Sequence, residues 1–157
     1  MSVPLEPEPR FRPAIGEDLP RIVALIADDG LGRRREIPSL PLDPRYERAF
    51  DAIEADANQI ALVAERGGAL VGYLQITLIP GLSRGGAWRG QLESVRVASS
   101  CRGRGIGTRL TERAIEICRD RGCALVQLTT DVERIDARRF YESLGFTASH
   151  HGMKLSL

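Results

Sequence analysis

One stretch of the chain constrains the fold more than any other, because a strand, a glycine-rich turn and an amphipathic helix follow each other directly. Residues 91–97 alternate apolar and polar side chains, and residues 106–121 repeat apolar side chains at helical spacing. The turn between them reads Arg-Gly-Arg-Gly-Ile-Gly-Thr over residues 102–108. A helix with one apolar face must bury that face, so this stretch predicts a helix packed against a sheet.

The turn itself has the features of a phosphate-binding site. Backbone N–H groups at a helix N-terminus attract anions, and glycines let the anion approach the backbone closely. The first turn of the helix holds no acidic residue, whereas Arg102, Arg104 and Arg109 lie nearby. The formal net charge of the whole chain is only +1, which argues against nucleic acid as a partner. We therefore expect a local anion site.

Two familiar phosphate-binding motifs fit the turn poorly. A Walker loop needs a lysine after its last glycine, and here Thr108 follows Gly107. A dinucleotide-binding fold places its glycines after the first strand of the domain, but this turn follows a hairpin late in the chain, and Asp131 is only a partial match to the acidic residue required. A plain strand–helix connection is the simplest alternative, and three alternating glycines argue against it.

The rest of the sequence alternates strand and helix signals. Gly67-Gly68 predicts a tight hairpin, and Gly122 predicts the end of the long helix. The element order β-α-α-β-β-β-α-β-α-β-β predicts an α/β fold of mixed α+β type with helices against one central sheet. We expect strands at residues 10–14, 59–66, 69–79, 91–97 and 124–129, helices at 17–26, 44–57, 106–121 and 137–144, and a final hairpin of residues 146–150 and 153–157.

Length and composition limit the remaining classes. The 157 residues predict a single domain over residues 10–157, and the proline- and glutamate-rich residues 1–9 predict a flexible lead-in. We find no apolar run near the ~20 residues of a membrane span and no signal peptide, so we expect a cytoplasmic protein without a membrane partner. The three cysteines, Cys101, Cys118 and Cys123, match no zinc spacing, so no metal is expected.

Two motifs carry a resemblance to a known family. Residues 95–108 resemble the acyl-CoA signature of the GNAT superfamily, Arg/Gln-x-x-Gly-x-Gly/Ala at the head of a helix. Residues 136–146, Asp-Ala-Arg-Arg-Phe-Tyr-Glu-Ser-Leu-Gly-Phe, are similar to the closing motif of the same family. The resemblance implies a mixed, mostly antiparallel sheet and an N-acetyltransferase that uses acetyl-CoA. The implied reaction is direct transfer, in a ternary complex, to a primary amine of a small molecule or amino acid derivative.

The resemblance also assigns roles to residues on the donor side. Val95 and Val97, with Arg96 between them, would pair through their backbone with the pantetheine arm. An N–H near Val97 would polarise the acetyl carbonyl, as in an oxyanion hole. The backbone N–H groups that would hold the CoA pyrophosphate are those of Arg102, Gly103, Arg104, Gly105, Ile106, Gly107 and Thr108.

The same resemblance names two catalytic candidates. Tyr141 matches the tyrosine that protonates the leaving thiolate, and Glu93 matches the base that deprotonates the amine. Tyr141 could instead be a core aromatic and Glu93 a solvated strand residue. Strict alternation puts Glu93 and Val95 on the face opposite Leu92. Arg134 stands where many relatives carry an asparagine that contacts CoA, so we expect Asp131 or Arg134 to replace that contact.

The acceptor side is the least readable part of the chain. Residues 28–44 and 80–90 are irregular, and the arginines at 33–35 are either a solvated charge run or a carboxylate site. A cysteine nucleophile would need a base, and the only histidines, His150 and His151, are expected at a surface or interface. An acyl-CoA sensor without efficient chemistry is the alternative function, and a homodimer stays open.

Overall fold

The structure is a computed structural model that describes residues 7–30 and 32–157. Residues 1–6 of the predicted lead-in and Leu31 lie outside the described residues. The strands are β1 (Arg10–Pro13), β2 (Gln59–Arg66), β3 (Ala69–Ile79), β4 (Trp88–Val97) and β5 (Cys123–Leu128). The helices are α1 (Leu19–Ala27), α2 (Pro44–Ala55), the short α3 (Ser83–Gly86), α4 (Ile106–Asp120) and α5 (Ile135–Ser143).

The five strands form one sheet in the order β1-β2-β3-β4-β5. The pairs β1–β2, β2–β3 and β3–β4 are antiparallel, and β5 runs parallel to β4. This confirms the predicted mixed, mostly antiparallel sheet. The β2–β3 turn is the predicted tight hairpin, because Gly67 and Gly68 have φ of 58° and 79°, the positive values that such turns require.

Helices cover both faces of the sheet. On one face α1 and α2 bury an apolar cluster that includes Val23, Phe50 and Val63. On the other face α4 buries the predicted stripe against the central strands. Of that stripe Ile106, Leu110, Ala114 and Cys118 are 2% exposed or less, and Ile117 is half-buried against the same cluster. Gly122, at φ 78°, follows α4 in the left-handed conformation, as the sequence predicted.

A β-bulge in β4 changes the expected faces. Tyr73 pairs with Arg96 and Gln75 with Glu93, so β4 has one more residue than β3 between these pairs. Ser94 absorbs the extra residue at φ 53°, which is uncommon for a residue other than glycine. As a result Val95 packs on the same cluster as Leu92. The prediction that Val95 lies opposite Leu92 is therefore wrong, because alternation holds only while the strand is regular.

The predicted final hairpin is also wrong. Among the described residues no strand follows Leu128, so neither residues 146–150 nor residues 153–157 form one. Phe146 packs against the α4 cluster, but the chain beyond it is exposed, with Met153 at 93% and Leu155 at 87%. An alternating sequence becomes a strand only where a neighbouring strand takes its backbone hydrogen bonds and covers its apolar side.

The close packing of α4 on β4 yields a stability prediction. A Cβ added at Gly90 would overlap the Cys118 sulfur, whereas one added at Gly16 meets nothing within 4 Å. We expect Gly90→Ala to lower the free energy of unfolding by about 1–3 kcal/mol through overpacking, measured by urea denaturation, with Gly16→Ala as the control. In a Cys118→Ala background the same substitution should cost less. Equal stability of Gly90→Ala and the native chain would show that the close approach is not required.

Candidate active site

β4 extends beyond the end of β5, and we term the space beside this unpaired end of β4 the cleft. The parallel pairing between them runs from Trp88 to Leu92 on β4 and ends at Leu128 on β5. Residues 93–97 of β4 therefore have no strand neighbour on that side, although β3 still pairs with them on the other. Their backbone groups on the open side are available to an extended ligand. Val95, Arg96 and Val97, the predicted pantetheine-binding residues, all lie in this stretch.

Two backbone carbonyl groups of residues 93–97 already accept hydrogen bonds from arginine side chains. The Val95 carbonyl accepts a hydrogen bond from Nη1 of Arg96 at 2.9 Å, and the Val97 carbonyl accepts one from Nε of Arg102 at 3.1 Å. These bonds fix the positions of the two side chains against the strand. A carbonyl oxygen has two lone pairs, so each can still accept a second hydrogen bond.

The glycine-rich turn closes one end of the cleft. Gly103 and Gly105 have φ of 72° and 75°, a left-handed conformation that glycine adopts without strain. Gly105 is the N-cap of α4, so the N–H groups of Ile106, Gly107 and Thr108 have no carbonyl within the helix to bond. The first turn of α4 carries no acidic residue. These amides at the positive end of the helix dipole can bind an anion.

The arginines around the turn contribute less than the sequence indicated. Nη2 of Arg102 donates to the Asp28 carbonyl at 3.0 Å, and the Arg102 backbone N–H donates to the Ser99 carbonyl at 3.4 Å. Arg109 forms an ion pair with Glu8. The backbone amides, rather than the side chains of Arg102 and Arg109, are therefore the groups that the turn offers to an anion.

Tyr141 lies on α5 in an aromatic cluster. Its ring makes edge-to-face contacts with Phe140 and Phe146, at centroid distances of 5.1 and 5.8 Å. Burial raises the pKa of the phenol, while the positive charges of Arg96 and Arg134 oppose that rise. The side chain is half-buried, so it combines a protected ring with access to the surroundings of the cleft.

A charged cluster that the sequence did not reveal lies beside Tyr141. The Asp29 carboxylate accepts hydrogen bonds from Nη2 of Arg134 and from the Gly32 N–H, both at 2.5 Å, and it lies 3.3 Å from Nε of Arg96. Burial alone would raise the pKa of Asp29, but these three partners together lower it. Burial also lowers the pKa of Arg96, against the attraction of Asp29. Asp29 thus ties the loop after α1 to β4 and to the start of α5.

Acidic side chains border the face of the sheet that carries Arg96. Glu93 is exposed and lies near Tyr73, and burial together with this charge raises the pKa of Tyr73 to about 12. Glu36 accepts a hydrogen bond from the Tyr46 hydroxyl at 2.7 Å and attracts Arg96. Sequence reasoning missed Glu36 because it lies in the irregular loop between α1 and α2, where no spacing rule applies.

The remaining candidates lie elsewhere. The arginines at 33–35 are exposed, and Arg33 lines an open cavity of about 420 Å³ with Arg21, Asp28 and Ser99. His150 and His151 are exposed, as expected for a surface position. Cys118 is buried, and burial raises the pKa of its thiol to about 11, which disfavours a nucleophilic thiolate.

The part of the chain that the structure describes lacks two other kinds of feature. Residues 7–30 and 32–157 hold no group of three or more His, Cys, Asp or Glu side chains that could bind a metal ion. Within the same ranges no helix is long and apolar enough to cross a membrane.

Known proteins resemble this chain in both sequence and fold. The model of the acetyltransferase (GNAT) family matches residues 30–146. An aminoalkylphosphonate N-acetyltransferase of Salmonella typhimurium is 31% identical over 141 residues, which are 89% of this chain and 86% of that protein. A glucosamine 6-phosphate N-acetyltransferase of Trypanosoma brucei brucei is 38% identical over 90 residues, and the match spans only 59% of that protein's length and 57% of this chain.

The likeness extends to solved structures. A protein of Bacillus halodurans C-125, described as a transcriptional regulator, is 48% identical with a TM-score of 0.93, over 96% of this chain and all of that one. An acetyltransferase from Agrobacterium tumefaciens is 26% identical with a TM-score of 0.83, over 94% of this chain and 99% of that one. The family match covers most of the described domain, including the cleft, the turn and Tyr141. The chain therefore belongs to the acetyltransferase (GNAT) family, and it is an N-acetyltransferase.

Proposed function

We propose that the chain transfers the acetyl group of acetyl-CoA directly to a primary amine of a small molecule or amino acid derivative. One observation carries this proposal: the unpaired stretch of β4 leads to the head of α4, whose first amides have no partner within the helix, and Arg96 in that stretch acts by its charge on the half-buried Tyr141. An extended CoA thioester would lie along the cleft, with its phosphates at the head of α4 and its sulfur near the phenol of Tyr141. Direct attack in a ternary complex needs proximity and proton transfer rather than a nucleophilic side chain.

Backbone groups would form most of the binding site for acetyl-CoA. The amides of residues 103–108 would hold the pyrophosphate, with Ile106, Gly107 and Thr108 contributing the N–H groups that the helix leaves unpaired, whereas the Arg102 N–H is bonded to the Ser99 carbonyl. Residues 95–97 would pair with the pantetheine arm. When bound, acetyl-CoA supplies the activated acyl group. An N–H near Val97 would stabilise negative charge on the acetyl oxygen as the amine attacks.

Tyr141 and Glu93 would manage the protons. The amine nitrogen forms a bond to the carbonyl carbon, the carbon–sulfur bond breaks, and the sulfur takes the proton of the Tyr141 hydroxyl. Burial raises the pKa of Tyr141, which keeps the phenol protonated before the reaction. Glu93 is exposed on β4 and would take the proton of the incoming ammonium, directly or through water.

The names of the relatives support a small acceptor. The Salmonella typhimurium relative is an aminoalkylphosphonate N-acetyltransferase, and its match extends over most of both chains. The Trypanosoma brucei brucei relative is named for an amino sugar phosphate. Both named substrates are small molecules with an amine and an anionic group. Aminoalkylphosphonates, amino sugar phosphates and amino acid derivatives are therefore the acceptors to test first.

The decisive experiment measures release of the CoA thiol in the presence of acetyl-CoA and a panel of these amines. We expect saturable thiol release that depends on both substrates, with an acetylated amine as the second product. Tight CoA binding without turnover on any amine would instead support the acyl-CoA sensor, a function in keeping with the description of the Bacillus halodurans protein as a regulator.

The glycine turn gives a prediction with a matched control. Gly105 and Gly122 both adopt left-handed backbone, at φ 75° and 78°, but they lie at opposite ends of α4. Substitution by alanine should strain either position by about 1–2 kcal/mol. We expect only Gly105→Ala to weaken CoA binding, measured by calorimetry, because only Gly105 shapes the anion site. Equal CoA affinity in the two variants would contradict the assignment.

Tyr141 gives a prediction on turnover. Tyr141→Phe keeps the ring contacts with Phe140 and Phe146 and removes the hydroxyl. We expect kcat to fall about 10²–10⁴-fold, the usual contribution of a general acid, with little change in CoA affinity. The measurement is steady-state kinetics alongside a CoA-binding titration. Unchanged turnover would mean that Tyr141 serves packing alone.

Glu93 gives a separate prediction. Glu93→Gln preserves size and polarity but cannot accept a proton, so kcat should fall at neutral pH and recover partly at high pH, where the free amine is more abundant. Glu112, exposed on the outer side of α4, provides the control substitution Glu112→Gln. If both variants follow the native pH–rate profile, another group or solvent removes the proton.

A further inference from the structure

The cluster of Asp29, Arg96 and Arg134 holds more positive than negative charge. Two guanidiniums share one carboxylate, with Nη2 of Arg134 at 2.5 Å and Nε of Arg96 at 3.3 Å from the same Asp29 oxygen. The other Asp29 oxygen accepts the Gly32 N–H. Taken alone, the three side chains therefore carry one uncompensated positive charge. Glu36 also acts on Arg96, but its carboxylate already accepts a hydrogen bond from the Tyr46 hydroxyl.

The cluster is shielded from water. The side chains of Arg96 and Asp29 are 19% and 18% exposed, and that of Arg134 is 30% exposed. Nε of Arg96 is a buried donor that makes no hydrogen bond of good geometry. Charges act over longer distances in such surroundings than at an open surface, since less solvent screens them.

Both guanidiniums act on the phenol of Tyr141. Arg96 lies on β4, and Arg134 is the N-cap residue of α5, about two helical turns before Tyr141. The positive charges of both arginines lower the pKa of the phenol. The aromatic rings of Phe140 and Phe146, which also contact Tyr141, are uncharged. On α5 itself Arg138 and Glu142 form an ion pair with each other at 2.8 Å, and both side chains are exposed. Asp29 is the counter-charge of the two arginines.

We propose that Arg96 and Arg134, held by Asp29, are positioning residues that stabilise the phenolate form of Tyr141. The proposal rests on the proposed role of Tyr141 as the general acid. When the carbon–sulfur bond breaks, the sulfur takes the phenolic proton and the negative charge moves to the Tyr141 oxygen. The two guanidiniums attract that charge, and solvent later returns a proton to the phenolate. Without the two guanidiniums, burial would make the phenol of Tyr141 a weaker acid.

The proposal predicts that loss of a positive charge and loss of the negative charge in the cluster move the pKa of Tyr141 in opposite directions. Arg134→Gln removes a positive charge, so the pKa of Tyr141 should rise. Asp29→Asn removes the negative charge that offsets the arginines, so the same pKa should fall. Each shift should be about one unit, as expected for one charge at short range with partial screening. Damage to the fold would not move the pKa in opposite directions in the two variants.

The test titrates Tyr141 directly. The tyrosinate absorbance of the native chain minus that of Tyr141→Phe isolates this phenol from Tyr46 and Tyr73. We expect the midpoint to move up in Arg134→Gln, down in Asp29→Asn, and to stay in Arg134→Lys, which keeps the charge. Arg138→Gln, one turn further along α5 and paired with Glu142, is the control and should leave the midpoint unchanged.

Kinetics give the second readout. A general acid must be protonated, so kcat falls as the pH rises through the pKa of Tyr141. That alkaline limb should follow the titration midpoint in each variant, and Arg134→Gln should lose about threefold to tenfold in kcat at neutral pH. In a Tyr141→Phe background Arg134→Gln should have no further effect on kcat.

Two outcomes separate this inference from the proposed function. If Tyr141→Phe retains full turnover, the general acid is wrong, whatever the titrations give. If Tyr141→Phe loses turnover but Arg134→Gln and Asp29→Asn leave the midpoint unmoved or shift it in one direction, the charged cluster does not tune Tyr141 and the inference is overturned.

Discussion

The site depends on one mismatch in the sheet: β4 continues past the end of its parallel partner β5. Because pairing stops at Leu92, residues 93–97 keep one edge of their backbone free. The bulge at Ser94 then turns Val95 toward the α4 side and leaves Arg96 on the face that carries Tyr73. Without the bulge, regular alternation would send Arg96 to the α4 side, away from Asp29.

The second support is the close packing of α4 on the sheet. Gly90 lets Cys118 approach β4, and the buried stripe from Ile106 to Cys118 holds the helix along its length. The head of the helix is thereby placed beside the end of β4, and its first amides have no partner within the helix. Left-handed glycines make the sharp turn possible at 103 and 105. The helix dipole, the unpaired amides and the open edge of β4 therefore all border the cleft.

Ion pairs hold together the parts of the chain that meet near Tyr141. Asp29 connects the loop after α1 with β4 and α5, three elements that lie far apart in the sequence. Its neighbours Arg96 and Arg134 were visible in the sequence only as a strand residue and a replacement for an asparagine. No spacing rule joins residues 29, 96 and 134, since their contact depends on how the loops fold over the sheet. The same holds for Glu36, which reaches the site from an irregular loop.

The sequence by itself determined what repeats or sets backbone geometry. Hydrophobic periodicity predicted the α4 stripe, paired glycines predicted the β2–β3 hairpin, and the motifs around Gly105 and Tyr141 indicated the family. Tertiary structure decided what depends on a partner. Alternation at Met153 and Leu155 produced no strand because no neighbouring strand covers them, and alternation across Ser94 failed because a bulge shifted the register. Periodicity is a local property, whereas register, strand pairing and ion pairs depend on residues distant in the chain.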